Sequence, residues 1–372
     1  MKSHEEKKYM RLALDLARKG EGRTHPNPMV GAVIVHRGKV IGQGFHLKAG
    51  SSHAEAHAIK NSKASLKGAV MFVTLEPCDH FGRTPPCTEA IIKSGIKKVY
   101  AAMMDPNPIN SGRGIRKLKS RGIDVNVGIC ADEARFLNRA YIKYITSGMP
   151  YLTVKLAQSI DGKIAASDGT SKWISSPRSR RYVKKLRGAA DAVMVGINTV
   201  LKDDPTLMPV KRSGKKVQRI VLDSKLRIPE NSRLVSTSEV SPLIIATTSQ
   251  ASAKKIERIS KIKGVEVIVV KSAGKRVDLE DLFRKLAARG IINIMSEGGG
   301  ELAGSLMDMK LVDEVIFFIA PKILGGNRSS ISGRGAANIK EAVLLNDAEV
   351  FVSGVDMIVR AGVRGKREVG SG

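Results

Sequence analysis

The 372-residue chain is predicted to be an α/β protein of two domains, on three observations. Strand-like apolar runs alternate with helical patterns from residue 30 to 129, the signature of a mixed sheet sandwiched by helices. A second, longer alternation runs from 151 to 360. Between them Ser147-Gly148-Met149-Pro150 punctuates the chain, so domains of 1–147 and 148–372 are expected. Each is long enough to bury its own core. Residues 362–372, rich in glycine and charge, are expected to fray.

Residues 5–19 place Tyr9, Leu12, Ala13, Leu16 and Ala17 on one helical face. Gly22 to Pro28 has the Pro and Gly content of a loop. Val30 to Val35 reads as a buried strand, Arg37-Gly38-Lys39 as a turn, and Val40 to Gly44 as the antiparallel partner. Ala69 to Thr74 and Lys97 to Met103 are further strands. Helices follow Cys87 and Gly114, and one unbroken helix is expected over 132–145. In the second half Tyr151 to Ala157 alternates as a strand and Asp161-Gly162 marks a turn. Strands are expected at 191–196, 217–222, 242–247, 265–270, 291–296, 312–319 and 349–360. Helices fit at 176–188, 250–262, 278–289 and 300–309.

The stretch from His53 to Cys87 carries the chemistry. His53, Cys78 and Cys87 offer one imidazole and two thiols, a set that suits tetrahedral zinc with its fourth position left for water. Zinc lowers the pKa of bound water to ~7, and Glu55, two residues from His53, can then carry a proton to a leaving amine. Those parts make a hydrolytic deaminase. Two plainer readings stand beside it: Ser52-His53-Ala54-Glu55 fits a capping box, which can hold together with zinc ligation, and Cys78 with Cys87 could instead form a disulfide. The opening Met-Lys-Ser-His-Glu-Glu has no apolar signal segment, so a cytoplasmic, reducing location is expected and metal ligation is favoured over a disulfide. Cys87 also starts a helix, where the dipole favours thiolate. Cys130, in an apolar stretch, reads as core packing.

Composition narrows the classes without choosing one. With 42% hydrophobic and 26% charged residues the chain is globular, and no run is long enough for a membrane span. Net charge is +28, but the cations are spread through both halves and only 4% of residues are aromatic, which leaves few stacking platforms for bases. The charge reads as solvated surface that also steers phosphorylated small molecules. An RNA-editing zinc deaminase with a C-terminal RNA-binding module is the alternative, and charge alone supports it. In the second half Ile291 to Leu302 runs from a buried strand through Gly298-Gly299-Gly300 into a helix. Such a junction can seat a phosphate at the helix start or be only a tight turn. Lys155 sits mid-strand in an apolar run, where an ammonium needs an anionic or polar ligand.

Zinc deaminases of nucleic acids carry His-x-Glu and Pro-Cys-x-x-Cys, whereas eight residues, Asp79 to Pro86, separate Cys78 from Cys87 here. His53-Ala54-Glu55 with Pro77-Cys78-x-His80-x-Gly82-x-Thr84-Pro85-Pro86-Cys87 resembles the bifunctional deaminase–reductases of riboflavin biosynthesis. Ser159-Ile160-Asp161-Gly162, Thr199-Val200-Leu201-x-Asp203-Asp204-Pro205 and Glu297-Gly298-Gly299 resemble the reductase half of that family. The resemblance implies a cytidine-deaminase-like N-terminal domain and a dihydrofolate-reductase-like C-terminal domain. It implies zinc, NADPH and phosphorylated pyrimidine substrates, with neither nucleic acid nor membrane as a partner. A homo-oligomer, dimer or tetramer, is expected. By matching motif the deaminase substrate would meet Asn27, His46, His80, Arg83, Thr84, Asp105 and Asn107. The cofactor would meet Ala157, Trp173, Thr199, Asp203, Gly299, Gly300, Glu301, Leu302, Ala303 and Gly304. The reductase substrate would meet Lys155, Ser171, Arg187, Leu207 and Glu297. After Thr206-Leu207 the family usually has Thr-x-Arg. Here Met208-Pro209-Val210 follows, which either removes a phosphate contact at that point or shifts it to Lys211 or Arg212.

Overall fold

Arg37 and Gly38 both take left-handed backbone, with φ of 50° and 76°. Two successive positive φ values are what a two-residue hairpin turn needs to match the twist of its strands. So β1 (Gly31–His36) folds back on β2 (Lys39–Phe45) and begins the first sheet. In the computed structural model, which describes residues 3–82, 85–210 and 216–364, the chain divides into two units, Met1–Met149 and Pro150–Gly372.

The first unit contains α1 (Ser3–Arg18), α2 (Ala54–Lys60), β3 (Val70–Val73), α3 (Cys87–Ser94), β4 (Lys98–Ala101), α4 (Arg113–Ser120), β5 (Asp124–Val127), α5 (Ala131–Leu137) and α6 (Arg139–Ser147). Its sheet has the order β2-β1-β3-β4-β5, antiparallel for the first three strands and parallel from β3 to β5. Glycines decide how closely helices approach it. A Cβ on Gly31 would lie 2.0 Å from the Ala13 carbonyl of α1, and one on Gly44 would lie 2.4 Å from the Ala54 carbonyl of α2. Gly31 pairs with Phe45, so Gly44, one residue away, points to the other side of the sheet. The two helices therefore cover opposite faces, as an α/β/α sandwich requires. Gly44 thus seats α2, the helix that begins beside His53.

The second unit is built from β6 (Tyr151–Ser159), α7 (Pro177–Ala189), β7 (Ala192–Gly196), α8 (Ile197–Asp203), β8 (Gln218–Leu222), α9 (Arg233–Ser236), β9 (Leu243–Thr247), α10 (Ala253–Ser260), β10 (Val265–Val269), the short pair β11 (Ser272–Ala273) and β12 (Arg276–Val277), α11 (Leu279–Ala288), β13 (Asn293–Ser296), α12 (Gly300–Asp308), β14 (Glu314–Ala320), β15 (Leu345–Ser353) and β16 (Asp356–Val363). The main sheet runs β10-β9-β8-β7-β13-β6-β14-β16-β15. It is parallel from β10 to β14, and β16 and β15 close it antiparallel. Strands such as β7 and β9 are nearly continuous apolar runs because both faces are covered. The chain steps outward from β7 to β10 and returns to insert β13 between β7 and β6, so the strand order reverses there. Ligands of open α/β sheets bind at such a reversal, beyond the carboxyl ends of the strands.

Three expectations are corrected. The helix expected over 132–145 is two helices, broken at Asn138, whose side chain accepts from the Met29 N–H at 2.7 Å and donates to the Met29 carbonyl at 3.0 Å. That bidentate grip on another segment outweighs helix continuity. The strand expected over 349–360 is a hairpin turning at Gly354, which has φ of 70°. Fraying expected from residue 362 does not begin there: Val363 ends β16 and donates its N–H to the Asp313 carbonyl at 2.8 Å. Residues 365–372 lie outside the described residues. Cys130 packs against the core of the first unit, as expected. Among the described residues no helix is long and apolar enough to cross a membrane.

Asn138→Ala strips two buried main-chain groups of Met29 of these partners. It is expected to destabilise the first unit by about 2 kcal/mol, read as a urea midpoint lower than the parent's.

Candidate active sites

His53 is the N-cap of α2, with extended backbone and no side-chain capping bond. The capping box is therefore not formed: the imidazole turns away from its own helix, and Glu55 is buried at 4% exposure. Cys87 is the first residue of α3, behind Pro86, and Cys78 follows the end of β3. Two helix starts and one strand end thus bring three ligands together. His53 Nδ1 lies 3.2 Å from Cys87 Sγ and 3.4 Å from Cys78 Sγ, and all three ligand atoms fall within 4.8 Å of one another. Zinc–sulfur and zinc–nitrogen bonds of ~2.3 and ~2.0 Å give tetrahedral edges of roughly 3.5 Å, so the cluster fits that ion. All three cysteines are free, which sets the disulfide reading aside.

The two thiols are driven apart, Cys78 toward thiolate and Cys87 away from it, against the expectation from the helix start. A hydrogen bond from Cys87 holds the Cys78 thiol well below its usual range, with His53 adding to the effect. The same bond, with burial, pushes Cys87 up. The Cys78 partner raises His53. Burial, with Cys78 adding, pushes Glu55 to about 7.

Other residues singled out above fall into two groups. Asn27 Nδ2 lies 3.2 Å from His46 Nε2, and the His46 ring sits edge-on to His53 at 5.6 Å. Both therefore border the cluster, and burial lowers the His46 pKa. His80 is half-buried, and its sealed Nδ1 has no hydrogen-bond partner among the described residues. Arg83 and Thr84 lie outside the described residues. Asp105 is already engaged by Tyr141 Oη at 2.9 Å, Asn110 Nδ2 at 3.3 Å and the Asn107 N–H at 3.0 Å. Asn107 in turn caps Ile109 N–H at 3.1 Å, so this pair shapes the loop after β4.

Sequence reasoning missed Glu76. Its carboxylate is buried and accepts the N–H groups of Asp105, Gly112 and Ile115 at 3.1, 2.9 and 3.2 Å. It ties the strand that leads to Cys78 to the start of α4. A Cβ on Gly114 would stand 1.9 Å from the Pro77 carbonyl, so only glycine lets α4 come this close. The one available signal was a glutamate directly before Pro77-Cys78, and its partners are all main chain from far along the sequence.

In the second unit Lys155 finds its anion inside the protein. Lys155 Nζ is 3.2 Å from Glu297 Oε2, and Arg187 grips both oxygens of Glu297 at 2.5 and 3.0 Å. The three side chains are 13%, 16% and 6% exposed for Lys155, Arg187 and Glu297, so two cations share one carboxylate in a nearly dry site and leave an excess positive charge for an anionic ligand. Burial would raise the Glu297 pKa, but Arg187 and Lys155 outweigh it and hold the group at about 2.

The remaining residues differ in setting and exposure. Thr199 and Asp203 lie on α8 after β7, and Ala157 is half-buried on β6. Trp173 is 64% exposed, with the Arg180 guanidinium 4.5 Å above its ring, and Ser171 is half-buried two residues before it. Leu207 is buried in the core with φ of 51°, so only its main chain can face a ligand. Gly299 caps α12 with open space around it. Gly300 and Gly304 do not share that freedom: a Cβ on either would strike the 329–333 segment, at 2.5 Å from the Ser329 carbonyl and 1.1 Å from the Ser332 carbonyl. These two glycines admit protein rather than phosphate. Glu301 is exposed, Leu302 half-buried and Ala303 buried. Lys211 and Arg212 lie outside the described residues.

Residues 3–103 match the cytidine and deoxycytidylate deaminase zinc-binding region, and residues 150–359 match the RibD C-terminal domain. The riboflavin biosynthesis protein RibD of Aquifex aeolicus is 44% identical, over 95% of this chain and 97% of its own length. The chain belongs to the RibD family. RibD of Escherichia coli is 39% identical over 92% of this chain and 94% of its own. Among solved structures, Acinetobacter baumannii RibD superposes with a TM-score of 0.85 at 31% identity, covering 98% of this chain and all of that one (100%). A diaminohydroxyphosphoribosylaminopyrimidine deaminase/5-amino-6-(5-phosphoribosylamino)uracil reductase from Thermotoga maritima also reaches 0.85, at 34% identity. Like its family, the chain is a bifunctional deaminase and reductase of riboflavin biosynthesis. The RNA-editing alternative has no support.

The Glu297 pKa sets a pH dependence. Its folded value, about 2, lies below the ordinary 4.5, so its contribution to stability is complete above the ordinary value and is lost as pH falls toward 2. The second unit is expected to lose about 3 kcal/mol over that window, and Glu297→Gln to remove that slope, measured by chemical denaturation at stepped pH.

Proposed function

We propose that the first domain, 1–147, hydrolyses the exocyclic amine of 2,5-diamino-6-ribosylamino-4(3H)-pyrimidinone 5′-phosphate. The second, 148–372, then reduces the ribosyl group of 5-amino-6-(5-phosphoribosylamino)uracil to ribityl. The observation that carries this reading is the His53, Cys78 and Cys87 cluster with Glu55 buried beside it. These three side chains would hold zinc, which when bound supplies Lewis-acid activation of a water. Glu55 takes the proton released by that water on a carboxylate oxygen and delivers it to the departing nitrogen, which leaves as ammonia. Its low exposure keeps bulk water from competing for that proton. Asn27 presents an amide that donates and accepts at once, which suits the edge of a pyrimidine. His46 holds that amide in place.

In the second domain Ala157, Trp173, Thr199, Asp203 and the start of α12 line the cofactor side, and NADPH supplies the hydride when bound. Lys155, Ser171, Arg187, Glu297 and the main chain at Leu207 face the sugar phosphate. Glu297 holds the two cations at fixed positions, and the positive excess favours the substrate's phosphate. No protein nucleophile is required, so the domain contributes placement and electrostatics.

The test follows ammonia release and NADPH absorbance together on the full chain loaded with zinc. Glu55→Gln is expected to lower ammonia release by roughly 10²–10⁴-fold while retaining zinc and reducing deaminated substrate at the parental rate. Cys78→Ser is expected to lose bound zinc, read by metal analysis, and ammonia release with it. Undiminished ammonia release from Glu55→Gln would sink the deaminase assignment.

A further inference from the structure

Arg219, on β8, is fully buried and among the described residues meets no acid through its hydrogen bonds. One terminal nitrogen donates to the Thr206 carbonyl at 3.1 Å and to Thr237 Oγ1 at 2.7 Å; the other donates to the Leu234 carbonyl at 2.9 Å and to the Ser241 carbonyl. Burying a guanidinium without a counter-ion is costly, and burial lowers its pKa to about 10. An apolar side chain would fill the same space among Val193, Val221, Leu234 and Leu243. The charge therefore serves the carbonyls it holds.

One of those carbonyls belongs to a strap next to the reductase site. Residues 204–210 run without regular structure between α8 and the stretch before β8. Two residues of the strap, Asp204 and Leu207, take left-handed backbone with φ of 38° and 51°. Neither is glycine, so the conformation persists only where it is held. Asp204 Oδ1 accepts the Arg233 N–H at 2.8 Å, and the Val210 N–H reaches the Lys184 carbonyl at 3.0 Å. Between these ends two guanidinium groups flank Leu207: Arg219 takes the Thr206 carbonyl, and Arg187 takes the Met208 carbonyl at 3.2 Å. Arg187 is the same side chain that grips Glu297.

We propose that Arg219 is a positioning residue of the reductase: by fixing the Thr206 carbonyl it sets the strap on which Arg187 rests, and so the direction Arg187 presents to Glu297 and the substrate. This rests on Lys155, Arg187 and Glu297 facing the substrate. Arg219 touches neither substrate nor cofactor and acts through the main chain at 206–208.

The experiment uses the full chain, with 5-amino-6-(5-phosphoribosylamino)uracil and NADPH, and with ammonia release as an internal control. Arg219→Lys keeps the charge but cannot span four acceptors. It is expected to raise the reductase KM for the pyrimidine at least tenfold, with kcat within threefold and ammonia release within twofold of the parent. A merely structural role lowers the folded fraction, which cuts apparent kcat and leaves KM alone; that result overturns the proposal, as does an unchanged KM and kcat. Should Arg219→Lys fail to fold, Thr237→Val removes one acceptor while keeping the guanidinium. A threefold rise in KM is expected there, and an unchanged KM overturns the proposal. Arg187→Gln is run beside them. Full reductase activity in Arg187→Gln overturns the site reading and the proposal together, whereas loss there with an unaffected Arg219→Lys overturns the proposal alone.

Discussion

A carboxylate that is taken out of water must be given partners, and that requirement organises both units. In each, a glutamate stands just beyond the end of a central strand: Glu76 after β3 and Glu297 after β13. An ionised carboxylate is far too costly to leave bare in such a place, so the chain surrounds it. Around Glu76 the partners are three main-chain N–H groups, which draw the loop after β4 and the start of α4 against the strand that ends at Cys78. Around Glu297 they are two cations, which fixes Lys155 and Arg187 where the sheet order reverses. The first solution uses only uncharged main-chain partners and is structural. The second leaves positive charge over.

How much of this was legible depended on whether the signal was local. The His53, Cys78 and Cys87 cluster could be read because ligand type and order survive without knowledge of the fold. Lys155 could be flagged because an ammonium in an apolar strand demands an explanation, although the answer proved to be an internal carboxylate. Glu76 and Arg219 could not be seen, since their partners, Thr237 Oγ1 apart, are main-chain groups from other segments, and main-chain groups leave no trace in residue identity. The break at Asn138 failed for the same reason: its amide grips Met29, 109 residues away. The capping-box pattern around His53 failed differently. The spacing was right, but the helix begins one residue later, with His53 rather than Ser52 at its N-cap.

The glycines after β13 show one letter serving several purposes. Gly299 has room around it, as a phosphate approach would require. Gly300 and Gly304 are glycines because the 329–333 segment lies almost on their α-carbons. A pattern that reads as a single phosphate loop is therefore a loop edge followed by a packing surface. Identity alone does not separate the two, because a missing Cβ is equally useful to a ligand and to a neighbouring backbone.

The ligand triad draws on three separate pieces of chain, and His53 and Cys87 stand 34 positions apart. An ion held there acts as a crosslink: it closes a long loop that the unfolded chain would otherwise explore, and its binding energy adds to that of folding. Without the ion, two thiols and an imidazole are left crowded beside a buried acid, and the starts of α2 and α3 lose what clasps them. The lifetime of the chain against proteases would then follow the supply of the ion, coupling turnover of the protein to metal availability before any substrate is present.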